Sequence, residues 1–230
     1  MTIRKDDALH EIEADFERLS NLVLSQLDHM EQFLTSGELK ISDEVIASIN
    51  GNEKEIDKAE VKLSDKIVNT IVLHQPVASE LRRIMACYRI LINVERIGDL
   101  VVNISHFIQK IKAPELYSQF NEVLSNMAIL SSKMVRQSLV SFMQDDRELA
   151  IWTIKNDDIL DEVNSKLLKK MLNKTGSEEK TKHLLTSMVT IKEMMSNIER
   201  IADYATNIAE AAIYSIEGKD IRHHKLDVQK

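Results

Sequence analysis

The sequence predicts an all-α protein built from two repeated antiparallel three-helix bundles, six helices in total. Only two prolines and five glycines occur in 230 residues, and most of them separate long amphipathic stretches. No segment shows the composition or alternation typical of a β-strand. The phrase NVERIGDLVVNIS at 93–105 returns as NIERIADYATNIA at 197–209, with seven of thirteen positions identical. An offset of 104 residues is compatible with a duplicated unit of ordinary domain size.

The first repeat, predicted at residues 1–112, contains three helices near 5–36, 42–74 and 77–112. Gly37 is expected to stop the first helix. The Asn50-Gly51 pair is a helix breaker, so we expect the second helix to be bent or split there. Pro76 is expected in the first turn of the third helix, where its missing N–H is not needed.

The second repeat, predicted at residues 113–217, contains helices near 115–142, 146–174 and 178–216. Pro114 should open the fourth helix, and short connections make neighbouring helices antiparallel. Asp145 with Glu148 has the form of a capping box, and Ser177 is a predicted N-cap. Gly176 and Gly218 should end helices. A polar tail, 218–230, carries His223 and His224, which we do not assign as ligands.

Composition excludes several functional classes. A net charge of −7 argues against nucleic-acid binding, which needs a basic face. No stretch approaches the roughly 20 apolar residues of a membrane span, and no signal peptide is evident, so a cytoplasmic location without membrane insertion is expected. The single Cys87 cannot form an internal disulfide and is predicted to be a small buried hydrophobe. Methionines such as Met194 and Met195 are predicted to fill the core.

The third helix has two distinct faces. At 100° per residue, one narrow stripe faces the core, and it consists of Val94, Ile97, Val101, Ile104 and Ile108. Glu95, Asp99 and Asn103 form a second line that points away from this stripe. An outward acidic pair alone is most simply a solvated face, and its mutual repulsion costs a few tenths of a kcal/mol, about 0.2–0.5.

The same offset aligns a second acidic pattern, because residues 52–57 (NEKEID) lie over 156–161 (NDDILD). Each repeat therefore carries two acid-x-x-x-Asp pairs. The four pairs are Glu53/Asp57, Glu95/Asp99, Asp157/Asp161 and Glu199/Asp203. On antiparallel helices, two pairs can face each other and offer eight carboxylate oxygens to a divalent or trivalent metal ion.

The residues beside these acids have expected supporting roles. Asn103 and Asn207 are predicted to add an amide oxygen or to position a ligand. Arg96 and Arg200 are predicted counter-ions of the acids. Solvated surface charge remains the alternative interpretation of all four pairs.

The two repeated phrases, together with HQPVASELRRI before the first and AIYSIEGKDIRH after the second, resemble the PhoU family of phosphate-transport regulators. The resemblance covers nearly the whole chain. It implies two three-helix bundles with pseudo-twofold similarity, metal ions such as iron or zinc at the acidic pairs, a homodimer, and no catalysis. It further implies negative regulation of phosphate uptake and of the starvation response. The implied partners are a phosphate ABC transporter, through its ATPase subunit, and a membrane sensor histidine kinase.

Two departures from the family pattern are visible. Residues 183–187 read HLLTS where the first repeat has QPVAS, and Asp157 stands where the first repeat has the longer Glu53.

Two other functions compete with an adaptor. A carboxylate-bound metal oxidase would use Glu-x-x-His ligands inside the bundle, whereas here the spacing is i, i+4 and no His follows. A metal buffer without any partner is the third possibility.

Overall fold

The computed structural model describes residues 4–157 and 178–222, and in the second range it describes side chains from residue 182 onward. All regular secondary structure in these ranges is helical, which confirms the predicted fold class. The helices are α1 Lys5–Thr35, α2 Asp43–His74, α3 Ser79–Ile108, α4 Pro114–Gln144, α5 described over 147–157, and α6 Glu178–Glu217. The predicted Asp161, Gly176, Ser177, His223 and His224 lie outside the described residues.

Helix α2 is continuous from Asp43 to His74, so it is not split at Asn50-Gly51, and a bend there stays a prediction. Its start is capped by Ser42, whose side chain accepts a hydrogen bond from the Val45 N–H at 3.3 Å. Ile49 and Ile56 are both fully buried on either side of the pair. Burial of these two side chains holds the segment helical, because packing outweighs the roughly 1 kcal/mol helix penalty of one glycine.

Pro76 lies in the connection between α2 and α3 rather than in a first helical turn, which corrects the prediction. Gln75 closes α2 in the left-handed conformation with φ 47°, and Ala78 also has a positive φ of 49°. A residue before proline avoids the right-handed helical region, so α2 ends where Pro76 follows. Helix α3 then begins at Ser79.

Pro114 opens α4 as predicted. The connection to α5 differs by one residue from the prediction, because Asp145 closes α4 with φ 54° and Asp146 is the cap. The Asp146 carboxylate accepts hydrogen bonds from the N–H groups of Glu148 and Leu149 at 2.9 and 3.2 Å. Gly37 and Gly218 follow α1 and α6 with φ values of 72° and 71°, as expected of helix-ending glycines.

The core runs through both repeats. Helix α1 packs against α2, α3 and α4, and α6 packs against α3 and α4. The whole predicted stripe of α3 is fully buried, and Cys87, Met194 and Met195 are buried as predicted. Burial raises the pKa of the Cys87 thiol to about 12. None of the helices in the described ranges is long and apolar enough to cross a membrane.

Candidate metal centre between α2 and α3

Glu53 occupies the centre of the predicted acidic face in the first repeat. Its Oε2 accepts a hydrogen bond of 2.8 Å from Nε2 of Gln26, a fully buried residue of α1. Its Oε1 is buried and meets no hydrogen-bond donor among the described residues. The carboxyl group also lies within hydrogen-bonding reach of Asp99 on α3. One carboxyl group thus joins three helices at this level.

Gly98 makes the approach of Glu53 possible. A Cβ atom built on Gly98 would lie 2.8 Å from Oε2 of Glu53 and 3.3 Å from Cδ1 of Ile56. Both separations are shorter than ordinary carbon contacts of roughly 3.5–4.0 Å. Only glycine therefore leaves room for the carboxyl group against the α3 backbone. The site contains a cradle that a larger residue would fill.

The charge of the cluster is incompletely compensated by the protein itself. Burial, followed by a hydrogen bond with Asp99 and the charge of Asp99, raises the pKa of Glu53 to about 8 against the lowering effect of Gln26. With its pKa at about 8, Glu53 keeps its proton at neutral pH in this buried position beside Asp99. A proton in such a place occupies the role that a metal cation can take over.

The other predicted acids of the first repeat lie around this pair. Burial raises the pKa of the half-buried Glu95, and the charges of Asp99, Glu60 and Asp57 act in the same direction. The adjacent Arg96 lowers it. The charges of Asp57 and Asp99 thus act on both Glu53 and Glu95, and the structure adds Glu60 from α2 beside Glu95.

The residues present fit a metal ion by the chemistry of their donors. The site offers carboxylate oxygens, a buried oxygen without a donor and a glycine cradle. In residues 4–157 and 178–222, however, no three acidic, histidine or cysteine side chains already converge as a ligand set. The acidic side chains lie near one another without forming a ligand set, so binding of an ion would require them to move closer together.

The second repeat shows the same exposure pattern where it is described. Glu199 is half-buried like Glu95, and Asp203 is exposed like Asp99. Asp157, half-buried, takes the place of Glu53. The residue aligned with Gly98 is the fully buried Ala202. Asp157 is shorter than Glu53, and Ala202 is larger than Gly98. The second repeat therefore combines a shorter acid with a larger residue at the aligned position of the next helix.

Comparison with known proteins agrees with this duplicated arrangement. The family model "PhoU domain" matches the chain twice, at residues 16–108 and 124–212. The chain belongs to the PhoU family. Each match contains two of the acid-x-x-x-Asp pairs of the sequence, of which Asp161 lies outside the described residues.

Curated relatives of the family carry the name "Phosphate-specific transport system accessory protein PhoU homolog". The protein from Burkholderia sp is 29% identical over 67% of this chain and 66% of its own length. The protein from Xylella fastidiosa strain 9a5c is 34% identical over 66% of this chain and 62% of its own length. The matched region thus spans less than two thirds of these relatives. Their names are those of accessory proteins, in agreement with the predicted absence of enzymatic activity.

Two solved PhoU structures share the fold. The crystal structure of PhoU from Pseudomonas aeruginosa has a TM-score of 0.80 at 21% identity, and covers 94% of this chain and 100% of its own. The phosphate transport system regulatory protein PhoU from Streptococcus pneumoniae has a TM-score of 0.79 at 24% identity, covering 94% and 99%.

The two arginines of the PhoU motifs reach a partner that the sequence did not indicate. Arg200 donates from Nη2 to the Tyr204 hydroxyl at 3.3 Å, and Arg96 also hydrogen-bonds to Tyr204. That hydrogen bond, followed by the charges of Tyr204, Glu95 and Asp99, raises the pKa of Arg96. Both arginines therefore lie at the α3–α6 contact between the repeats, and the predicted counter-ion role is only part of what Arg96 does.

Two further site residues were missed, although the sequence contained a signal for each. Gln26 falls in the buried stripe of α1, with Leu19, Val23, Met30 and Phe33 at spacings of 4, 3, 4 and 3. A glutamine in such a stripe requires a polar partner. Gly98 stands in the middle of a long helix, where glycine is unfavourable unless another group approaches closely. Glu60 has no acidic counterpart at 164, so the repeat did not indicate it.

Proposed function

We propose that this protein regulates phosphate uptake and phosphate-starvation signalling as a non-enzymatic adaptor. The observation that supports it is the PhoU match over both repeats, joined to relatives named as accessory proteins of the phosphate-specific transport system. In this proposal the chain lies in the cytoplasm and contacts the ATPase subunit of a phosphate ABC transporter and a sensor histidine kinase. It reaches the membrane only through these partners, and it forms a homodimer.

The second part of the proposal is a metal ion at each acidic face. Glu53, Asp57, Glu95 and Asp99 would hold the ion in the first repeat, and Asp157, Asp161, Glu199 and Asp203 in the second. Iron or zinc ions would supply positive charge that neutralises the carboxylates and fixes α2 against α3. The described residues contribute a buried oxygen at Glu53 and the cradle at Gly98, while Asn103 and Asn207, both exposed one turn further on, would orient the ligands.

The regulatory role is tested by deleting the gene and following a phosphate-starvation reporter at high and low phosphate. We expect the reporter to be active at high phosphate in the deletion strain and repressed again when the gene is restored. A reporter that responds normally to phosphate without the protein would contradict the adaptor role and favour a metal buffer.

The metal is tested by elemental analysis of protein purified without chelators, beside a variant with Glu95, Asp99, Glu199 and Asp203 changed to alanine. We expect bound iron or zinc in the wild type and a loss of most of it in the variant. Equal metal content in the two proteins would contradict the assigned ligands. Oxygen or peroxide turnover by the iron-loaded protein would instead support the oxidase.

A further inference from the structure

A cavity lies where the C-terminal end of α4 meets the first half of α1, away from the acidic faces of α2 and α3. We call it the α4-end cavity, and its volume is about 560 Å³. It is lined by α1 between Leu9 and Glu17, by α3 between Glu80 and Cys87, and by residues 142–144 of α4. Cavities of roughly 300–1,000 Å³ are the usual size for a small organic ligand. An occupant would contact helices of both repeats.

The inner wall of the α4-end cavity is apolar. It consists of side chains that are no more than 3% exposed, namely Ile12, Phe16, Ile84, Cys87 and Phe142. The rings of Phe16 and Phe142 meet edge to face, with their centroids 5.2 Å apart. Burial of an apolar group against such a wall is favourable because it removes apolar surface from water. The wall therefore suits the apolar body of a ligand.

The end of α4 and the end of α1 are equivalent places in the two repeats. Helices α1 and α4 pack antiparallel, because Ser125 donates a hydrogen bond of 2.9 Å to the Leu34 carbonyl at one end and Phe16 meets Phe142 at the other. The first half of α1 thus lies beside the end of α4, as the first half of α4 lies beside the end of α1. A difference between the two places depends on the connection that follows each helix.

The two connections differ in length and composition. The connection after α1 comprises residues 36–42, whereas the connection after α4 comprises residues 145–146, both aspartates. In the longer connection, Gly37 approaches α4 so closely that a Cβ atom built on it would lie 3.1 Å from Nδ2 of Asn121. The buried Ile41 of the same connection packs against the core. At the end of α4, a ligand can therefore take the position that an aliphatic side chain takes at the end of α1.

The charged groups at the mouth of the cavity have a negative sum. They are four carboxylates and two cations, namely Glu13, Glu17, Glu80, Asp145, Arg83 and Lys5. Arg83 pairs with Glu13 and with Asp145, each at 2.8 Å, and Lys5 pairs with Glu80 at 2.6 Å. Four negative and two positive charges leave a sum of −2. The rim residue His10 lies with Nδ1 2.7 Å from the Asp6 carbonyl of its own helix.

Glu17 is the carboxylate at the mouth that remains for a ligand. It is exposed, and it forms no ion pair with any residue in the described part of the chain. The adjacent Arg18 is bonded to Asp15 instead. The last carbonyls of α4 add partial negative charge at the same mouth.

The cation of the lining, Arg83, is already compensated. Besides its two carboxylates, its guanidinium group lies 4.9 Å from the centre of the Phe142 ring, and Nη1 lies 3.4 Å from the Phe142 carbonyl oxygen. An anionic ligand would thus have to displace a carboxylate from Arg83 in surroundings of negative charge. Charge complementarity favours a cationic head group.

We propose that the α4-end cavity binds a small amphipathic amine, whose aliphatic body lies against Phe16, Ile84 and Phe142 and whose protonated amino group pairs with Glu17. The site is separate from the acidic faces, and it goes beyond the proposed adaptor function by adding a small-molecule ligand that contacts both repeats.

The binding test compares three probes with octyl chains and different head groups: octylamine, octanoate and 1-octanol. Each is titrated into the full chain at neutral pH by isothermal titration calorimetry. We expect octylamine to bind saturably, about tenfold or more tightly than octanoate, with 1-octanol between them. Nuclear Overhauser effects from the octyl chain to the ring protons of Phe16 and Phe142 should place the bound probe in the cavity.

Two variants with matched controls test the body and the head separately. Ala14 is exposed on α1 and lines the mouth, so A14W should abolish octylamine binding, whereas A47W adds the same side chain at an exposed alanine of α2. E17Q should weaken octylamine binding about threefold, as expected for a partly exposed ion pair, and leave 1-octanol binding unchanged. Its control is E122Q at an exposed position of α4. E17Q and the Overhauser measurement do not depend on the folding of A14W.

Several results would overturn the proposal. Tighter binding of octanoate than of octylamine would assign the head group to Arg83 and the cavity to an anion. Equal affinity for the three probes would leave the apolar wall without selection for an amine. Octylamine binding that A14W leaves intact, or that produces no Overhauser effect at Phe16 and Phe142, would place the probe elsewhere. None of these results bears on the adaptor function, which the reporter in the deletion strain tests separately.

Discussion

The substitution Gly98→Ala separates the stability of the α2–α3 contact from the proposed binding of a metal. The new Cβ would lie 2.8 Å from the Glu53 carboxylate, which must retreat by at least about half an ångström to reach an ordinary contact. The movement disturbs the 2.8 Å hydrogen bond that Glu53 accepts from the fully buried Gln26, and we expect this bond to be lost.

The expected free-energy change combines two opposing effects. Replacing a mid-helix glycine by alanine stabilises the helix by about 1 kcal/mol. Losing the hydrogen bond and leaving the buried Gln26 amide unpaired costs about 1–3 kcal/mol. We therefore expect a net destabilisation of about 1 kcal/mol in urea unfolding of the metal-free protein. Metal affinity, measured by titration calorimetry, should fall by about tenfold or more because the displaced carboxylate is a proposed ligand.

A compensating variant follows from the second repeat, where Ala202 is aligned with Gly98 and Asp157 with Glu53. The double variant G98A/E53D reproduces that pairing in the first repeat. We expect it to recover most of the metal affinity lost in G98A, because the shorter acid leaves room for the new methyl group. If G98A is about 1 kcal/mol more stable than the wild type and binds metal equally well, the close approach has no role in the site.

Three further predictions concern pH and buried polar contacts. The metal-free protein should lose stability as the pH rises from about 4.5 to about 8, because folded Glu53 retains a proton that the unfolded chain releases; E53Q should flatten this dependence in urea unfolding across that range. Burial raises the pKa of Asp15, but hydrogen bonds from Lys66 and Arg18 outweigh this effect and hold the pKa below its usual value. K66M should therefore lower the free energy of unfolding by about 1 kcal/mol at neutral pH, and the difference should fade as the pH falls through the Asp15 pKa. A loss of stability that persists at low pH would contradict this reasoning. The fully buried Ser187 accepts hydrogen bonds of 2.9 and 3.0 Å from the backbone N–H groups of Lys112 and Ala113, just before α4, so S187A should cost about 2–3 kcal/mol in thermal or urea unfolding. S138A removes only a local bond within α4 and should cost less.

The helical periodicity of the sequence was sufficient to predict the six helices and the buried stripe of α3. That stripe recurs over five positions, so its orientation is determined many times over. Helix ends depend on single residues and were less predictable. Asp145 and Asp146 have the same side chain, and only the path of the chain determines that one closes α4 and the other caps α5.

The acidic pairs of the site were predictable because the duplication repeats them at a constant offset. The contacts that position them were not, since each involves a residue without a matching counterpart. Gln26 comes from a different helix. Tyr204, whose hydroxyl is hydrogen-bonded by Arg96 and Arg200, is aligned with Leu100. Internal repetition therefore reveals what the two halves share, and packing between helices of different halves supplies what distinguishes them.

The continuity of the core has a consequence for any attempt to divide the molecule. Contacts between α1 and α4 and between α3 and α6 both cross the junction near residue 112. Cutting the chain there would expose the apolar surfaces of these contacts to water, and neither fragment has a helix of its own to bury them.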